Sequence, residues 1–176
     1  MHVGIPVEER QWAQLIPQGI VAGLAGGVTL GLVQFLISAA REESATAPFR
    51  RVASLMLGVG ALDGDRPLAL VLALGTVLHF ALAALFGALF VVLLAVTFQL
   101  SARRWLLLGY GALCGFLLWE INFLAIVPTL FPELIDQIGF SGQIWNGIVA
   151  YAIVYGPSVA LYLSFARPGV LADWRA

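Results

Sequence analysis

The chain has 176 residues, of which 61% are hydrophobic and only 11% are charged, and its mean hydropathy is +0.96. Soluble domains carry about 25% charged residues, so this composition excludes an ordinary water-soluble protein. The nine basic residues are all arginine and the net charge is −1, which leaves no basic face for nucleic acid. We therefore expect an integral membrane protein that binds no nucleic acid.

Four apolar runs are long enough to cross a membrane, because about 20 helical residues span roughly 30 Å of hydrocarbon. They cover residues 17–40, 68–100, 105–127 and 142–165, and we call them the first to fourth spans. The runs are continuous and rich in Leu, Ala and Gly, which favours helices over a β-barrel. The predicted fold class is an all-α polytopic membrane protein, with four transmembrane helices in a single domain, 1–176.

The connection between the first two spans contains the stretch "TAPFRRVASLMLGVGALDGDRP". Apolar residues recur at helical spacing beside Arg50 and Arg51, which is typical of an amphipathic helix lying in the membrane interface. The pattern predicts such a helix over about residues 48–62. An ordinary loop helix packed on the bundle is the alternative, and the sequence leaves both open.

Small residues recur every four positions in three spans, a pattern that lets two helix backbones approach closely. They are Gly19, Gly23, Gly27 and Gly31 in the first span, Gly75, Ala83 and Gly87 in the second, and Gly111 and Gly115 in the third. The pattern does not say whether the partner helix belongs to the same chain.

Polar side chains fall in the half of the spans that lies away from the termini. Counting 1.5 Å per residue along each helix places them roughly 6 to 16 Å from that surface. They are His79, Glu120 and Asn122, with Tyr151, Asn146 and Gln34 as rim residues. Two interpretations remain open: a polar intramembrane site, or hydrogen bonds that tie the helices together.

A cofactor site is compatible with some of these residues. His79 is able to supply one axial ligand to haem or bacteriochlorophyll, but the second histidine, His2, precedes the first span, so a two-histidine haem site is excluded within the chain. The rings of Tyr151, Tyr155 and Tyr162 suit either interfacial anchoring or contact with a quinone or lipid tail. No metal site is predicted, since Cys114 is the single cysteine.

The stretches "LHFALAALFGALF", "YGALCGFLLWEINFLAIVPTLFP" and "VYGPSVALY" resemble those of a group of uncharacterised four-span bacterial inner-membrane proteins. The resemblance covers much of the last three spans. It implies the four-span fold and a bacterial membrane, and no activity. Such proteins often carry a second histidine shortly before the Val-Tyr-Gly, where this chain has Ala152.

The orientation follows from the short loops. The turn "SARRW" carries two arginines, whereas "PTLFPELIDQIGFSG" carries none. Because positively charged short loops stay inside, we expect both termini in the cytoplasm, with the chain in the bacterial cytoplasmic membrane.

No motif of an enzyme is present, so the chain is expected to be non-catalytic. Four spans with little mass outside the membrane suit an accessory subunit of a larger membrane complex, in contact with lipids and other membrane subunits. Respiratory and photosynthetic electron-transfer assemblies carry such companions. The alternatives are a small homo-oligomeric transporter or channel with a His79–Glu120 site, and a pigment- or haem-binding protein.

Overall fold

The computed structural model describes residues 7–98, 104–134 and 147–166. Within these residues, four helices are long and apolar enough to cross a membrane: Ala13–Ala40, Leu68–Leu94, Trp105–Leu130 and Ile148–Phe165. The prediction of an all-α protein with four spans is therefore confirmed. The predicted end of the second span at 100 and the predicted start of the fourth at 142 lie outside the described residues.

The helices follow the chain in a simple order. The first span belongs to α1 (Val7–Ala40), the connection contains α2 (Ala47–Leu57) and α3 (Gly60–Asp63), and the second span belongs to α4 (Leu68–Phe98). The third span comprises α5 (Arg104–Glu120), a π-helical segment π1 (Ile121–Ile126) and α6 (Val127–Leu130). The fourth comprises a second π-helical segment, π2 (Ile148–Tyr155), and α7 (Gly156–Ala166).

Some boundaries differ from the predicted ones. Helix α1 is already helical at Val7, the first described residue, and continues through Pro17, where the first span was predicted to begin. The third span passes Pro128 and ends at Leu130, beyond the predicted end at 127. The predicted amphipathic helix is present as two helices, because Gly58 adopts a φ of 68° that favours glycine and ends α2.

Each π-helical segment ends two residues before a proline, Pro128 or Pro157. Proline has no N–H, and its ring clashes with the carbonyl four residues earlier. Wider turns bond each N–H to the carbonyl five residues back, as from Val127 to Asn122. The backbone thus stays hydrogen-bonded in a medium without water. In the fourth span these π-helical turns lead directly into Gly156 and Pro157.

The first and second spans touch backbone to backbone. A β-carbon on Gly19 would lie 2.7 Å from the carbonyl oxygen of Gly87. One on Gly23 would overlap the carbonyl oxygen of Ala83 and lie 2.8 Å from the α-carbon of Gly87. Glycine is therefore required at this crossing. The partner of the first glycine ladder, which the sequence left open, is a helix of the same chain.

The third and fourth spans cross in the same way. A β-carbon on Gly111 would lie 2.5 Å from the carbonyl oxygen of Gly156, and one on Gly115 would overlap that of Tyr151. Gly75 has a different partner, because a β-carbon there would lie 2.5 Å from the carbonyl oxygen of Phe49 in α2. Helix α2 therefore rests on the second span.

The buried core lies between these helices. The fourth span contributes Tyr155, Val159, Ala160 and Leu163, which pack with buried residues of the first, second and third spans. A smaller cluster of Ala53, Ala61 and Val71 joins α2 and α3 to the second span. Large apolar side chains cover the outside, as expected where the solvent is lipid.

Candidate functional site

A cavity of about 150 Å³ is lined by residues of α2 and of all four spans. Its wall is mainly apolar and includes the aromatic residues Phe35, Phe49, Phe86, Phe123 and Tyr151. Polar side chains reach it as well, namely Gln34, Arg51, His79, Asn122 and Tyr151. A cavity of this volume accommodates a molecule about as large as benzene.

The polar residues predicted from depth fall into three groups. Gln34, His79, Asn122 and Tyr151 line the cavity together, so the structure brings these four to one place. Glu120 is absent from its lining. Asn146 lies outside the described residues. Arg51, which the sequence placed at the interface, also lines the cavity.

His79 joins the second span to the first. Its Nε2 atom lies 2.8 Å from the carbonyl oxygen of Gly27, and because a carbonyl only accepts, Nε2 carries the hydrogen. A β-carbon on Gly31 would lie 3.6 Å from Nε2, an ordinary contact distance, so the imidazole lies beside the end of the glycine ladder without requiring glycine there. An axial bond from Nε2 to haem or bacteriochlorophyll would break this hydrogen bond.

Asn122 stands at the start of π1. Its Nδ2 atom donates a hydrogen bond of 2.8 Å to the carbonyl oxygen of Leu118. The carbonyl of Leu118 thus receives a donor where the third span changes from α-helical to π-helical hydrogen bonding. One of the two hydrogens on the Asn122 amide nitrogen is therefore engaged.

The two neighbouring arginines of α2 have different surroundings. Arg50 donates from Nε to Thr46 Oγ1 over 3.1 Å and from Nη1 to the carbonyl oxygen of Ala61 over 3.0 Å, which ties α2 to α3. Arg51 forms an ion pair through Nη2 with Glu43. The Nη1 atom of Arg51 is buried and has no hydrogen-bond partner among the described residues.

Tyr155 makes a contact that the sequence did not reveal. Its hydroxyl donates a hydrogen bond of 2.8 Å to the carbonyl oxygen of Ala83, and both groups are buried. The sequence pattern groups Tyr155 with Tyr151 and Tyr162, as rings that suit interfacial anchoring or contact with a quinone or lipid tail. The burial of Tyr155, 3% exposed, shows that it connects the fourth span to the second.

Glu120 lies on another part of the third span. It is half-buried and makes no hydrogen bond or ion pair with the residues that the structure describes. It flanks an outward stripe formed by Leu113, Leu117, Ile121 and Leu124, which are 44–54% exposed. Ten helical residues separate it from Leu130, so it lies about 15 Å from that end of the span.

The described ranges contain no group of three or more His, Cys, Asp or Glu side chains that is able to hold a metal ion. The arrangement therefore offers hydrogen-bond donors around an apolar cavity and, separately, a carboxyl group near the lipid. No protein-family model matches the chain, and neither a curated protein nor a solved structure shows significant similarity to it.

Proposed function

We propose that the chain is a non-catalytic subunit that associates with other membrane-spanning chains through the outward face of its third span. The observation that carries this proposal is Glu120. A carboxyl group at this depth costs several kcal/mol unless it is protonated, paired or hydrogen-bonded. Because the described part of the chain supplies no partner, a helix of another subunit with a hydrogen-bond donor or a cation would supply one.

The surface around Glu120 supports this docking mode. The third span is the least buried of the four, with 17% of its apolar window buried. Gly109 lies on the same outward face, and a β-carbon there would meet nothing within 4 Å. A glycine on an open helix face lets a neighbouring helix approach closely. The other glycines of the third span are engaged with the fourth span.

The setting is part of the proposal. We place the chain in the bacterial cytoplasmic membrane with both termini in the cytoplasm, supported by the two arginines in "SARRW". We propose a respiratory or photosynthetic electron-transfer complex as the parent assembly, since small four-span subunits with little mass outside the membrane suit such complexes. A gate formed by His79 and Glu120 has less support, because His79 lines the cavity and Glu120 does not.

The test is purification from native membranes in a mild detergent, with mass spectrometry of the associated proteins and a visible spectrum. We expect larger membrane subunits to copurify, together with the absorption bands of haem or bacteriochlorophyll. Purification of the folded chain without other proteins would refute the subunit role. Partners without the absorption of haem, bacteriochlorophyll, flavin or iron–sulfur clusters would refute the electron-transfer assignment alone.

The variant Glu120→Leu tests the proposed surface. We expect it to fold but to lose about 90% of the copurifying subunits, because removing one partner of a buried polar contact costs 1–3 kcal/mol. Glu133→Leu is the matched control, since Glu133 is an exposed carboxylate near the end of the same span and should retain the partners. Full retention by Glu120→Leu would show that another surface is used.

A further inference from the structure

We propose that the cavity beneath α2 binds the head group of a lipid-soluble quinone, an uncharged ring that carries carbonyl oxygens. This inference does not depend on the subunit role, because the cavity and Glu120 occupy different parts of the molecule. It rests on the size and aromatic wall of the cavity and on donors that have no hydrogen-bond partner among the described residues.

The apolar wall fits a flat ring. The cavity volume of about 150 Å³ is that of a site for one benzene-sized ring. Phe49 of α2, Phe86 of the second span and Phe123 of the third face it from three helices. Aromatic side chains pack against flat rings in stacked or edge-on arrangements, which provides contact with little loss of side-chain freedom.

The charge balance favours an uncharged acceptor over an anion. The Nη1 atom of Arg51 is a buried donor without a partner among the described residues, and Arg51 lines the cavity. The charge of its guanidinium is already matched by Glu43 through Nη2. A second carboxylate would therefore meet the negative charge of Glu43, whereas a carbonyl oxygen would accept from Nη1 without that repulsion.

Two further side chains are available for the rest of the ring. Gln34 and Tyr151 line the cavity, and neither makes a hydrogen bond to a described residue. His79 and Asn122 also line it, but each already donates to a backbone carbonyl. Gln34 and Tyr151 carry an amide and a hydroxyl that donate hydrogen bonds, which suits a ring with a second carbonyl oxygen.

The experiment measures binding to the full chain in nanodiscs of zwitterionic lipid by isothermal titration. The probes are oxidised decylubiquinone, an uncharged quinone, and laurate, an anionic chain. We expect saturable binding of the quinone and weaker or no binding of laurate. In Arg51→Gln the Kd for the quinone should rise at least about tenfold, because a hydrogen bond from a charged donor is lost.

Arg50→Gln is the matched control, since Arg50 carries the same charge on the same helix but bonds to Thr46 and Ala61. Its Kd should stay within about twofold of the wild type. Gly31→Leu tests the cavity without changing a charge, by filling it, and should abolish saturable binding. Ala81→Leu, at an exposed position of the second span, should leave saturable binding unchanged. Thermal unfolding establishes that each variant is folded.

Three results would overturn the proposal. The first is the absence of saturable quinone binding to the folded wild type. The second is tighter binding of laurate than of the quinone, which would show that the cavity selects an anion. The third is quinone binding that survives Gly31→Leu in a folded protein, which would place the quinone elsewhere.

Discussion

His79 and Tyr155 each tie the second span to a neighbour by a hydrogen bond from a side chain to a backbone carbonyl. His79 reaches Gly27 of the first span, and the hydroxyl of Tyr155 reaches Ala83 from the fourth. These two bonds hold three spans together. The histidine that interrupts an apolar run is therefore an interhelical hydrogen-bond donor that also lines the cavity.

Removing the hydroxyl of Tyr155 should destabilise the bundle without leaving a void. We expect Tyr155→Phe to lower the free energy of unfolding by about 1 kcal/mol, the size of a typical hydrogen bond between transmembrane helices. Unfolding in mixed micelles with increasing SDS measures the change. Tyr162→Phe is the control, because Tyr162 packs on the same core without a hydrogen bond to a described residue. Equal stability of Tyr155→Phe and wild type would contradict this role.

Depth along the spans predicted that Gln34, His79, Asn122 and Tyr151 lie at a similar level, and the structure shows that these four line one cavity. Depth does not specify the direction of a side chain, and this is where the prediction for Glu120 exceeded its basis. A helix turns by about 100° per residue, so Glu120 and Asn122 lie on nearly opposite sides of the third span and do not both face one cavity. The position of Arg51 in the cavity wall was not predicted, because a cation beside a membrane is expected to face headgroups. Its ion-pair partner, Glu43, lies in a loop.

At the scale of helices, the glycine ladder of the first span has two functions. Its first half meets the backbone of the second span, whereas Gly27 and Gly31 lie beside Ala83 and the imidazole of His79. The four-residue repeat predicted close packing but not this division, because the repeat is the same at every step. The pairing of Gly75 with α2 was equally absent from the pattern, since α2 is not a span.

Two alanine substitutions on this glycine ladder should differ in their effect on the free energy of unfolding. In Gly23→Ala the new methyl group would overlap backbone atoms of Ala83 and Gly87, which are unable to move aside. We expect a loss of about 2 kcal/mol or more in the free energy of unfolding.

In Gly31→Ala the nearest atom, Nε2 of His79, lies at an ordinary contact distance of 3.6 Å. The stability of the Gly31→Ala variant should therefore match or slightly exceed that of the wild type. The same SDS titration measures both variants. A Gly23→Ala protein as stable as Gly31→Ala would mean that the two spans do not cross at Gly23.

For the whole molecule, hydropathy alone predicted the number of spans, because the cost of placing polar residues in hydrocarbon leaves few alternatives. The packing of α2 on the second span and the two π-helical segments required the structure. Both depend on contacts between segments distant in sequence or on the hydrogen-bonding pattern around a proline, which hydropathy does not report.

The orientation of the molecule is testable with reporter fusions. We expect green fluorescent protein to fluoresce when fused after Ala176, and alkaline phosphatase to be inactive there. Alkaline phosphatase should be active when it is inserted after Glu42, in the connection before α2. The reason is the pair of arginines in the short loop between the second and third spans. The reverse pattern of activities would place both termini in the periplasm.

Because π-helical turns contain more residues than α-helical turns, the rotation between the two ends of the third span does not follow from the number of residues alone. Deleting one residue within Ile121–Ile126 would return this stretch towards α-helical spacing, and because the wider turns accommodate one extra residue, α5 and α6 would keep nearly the same rotation relative to each other. Glu120 would then keep its present lipid-side position, whereas a residue deleted between Glu120 and a fixed α-helical segment would rotate it by about 100°. The six-residue segment thus allows the third span to lose one residue without changing the neighbour that this carboxyl group meets.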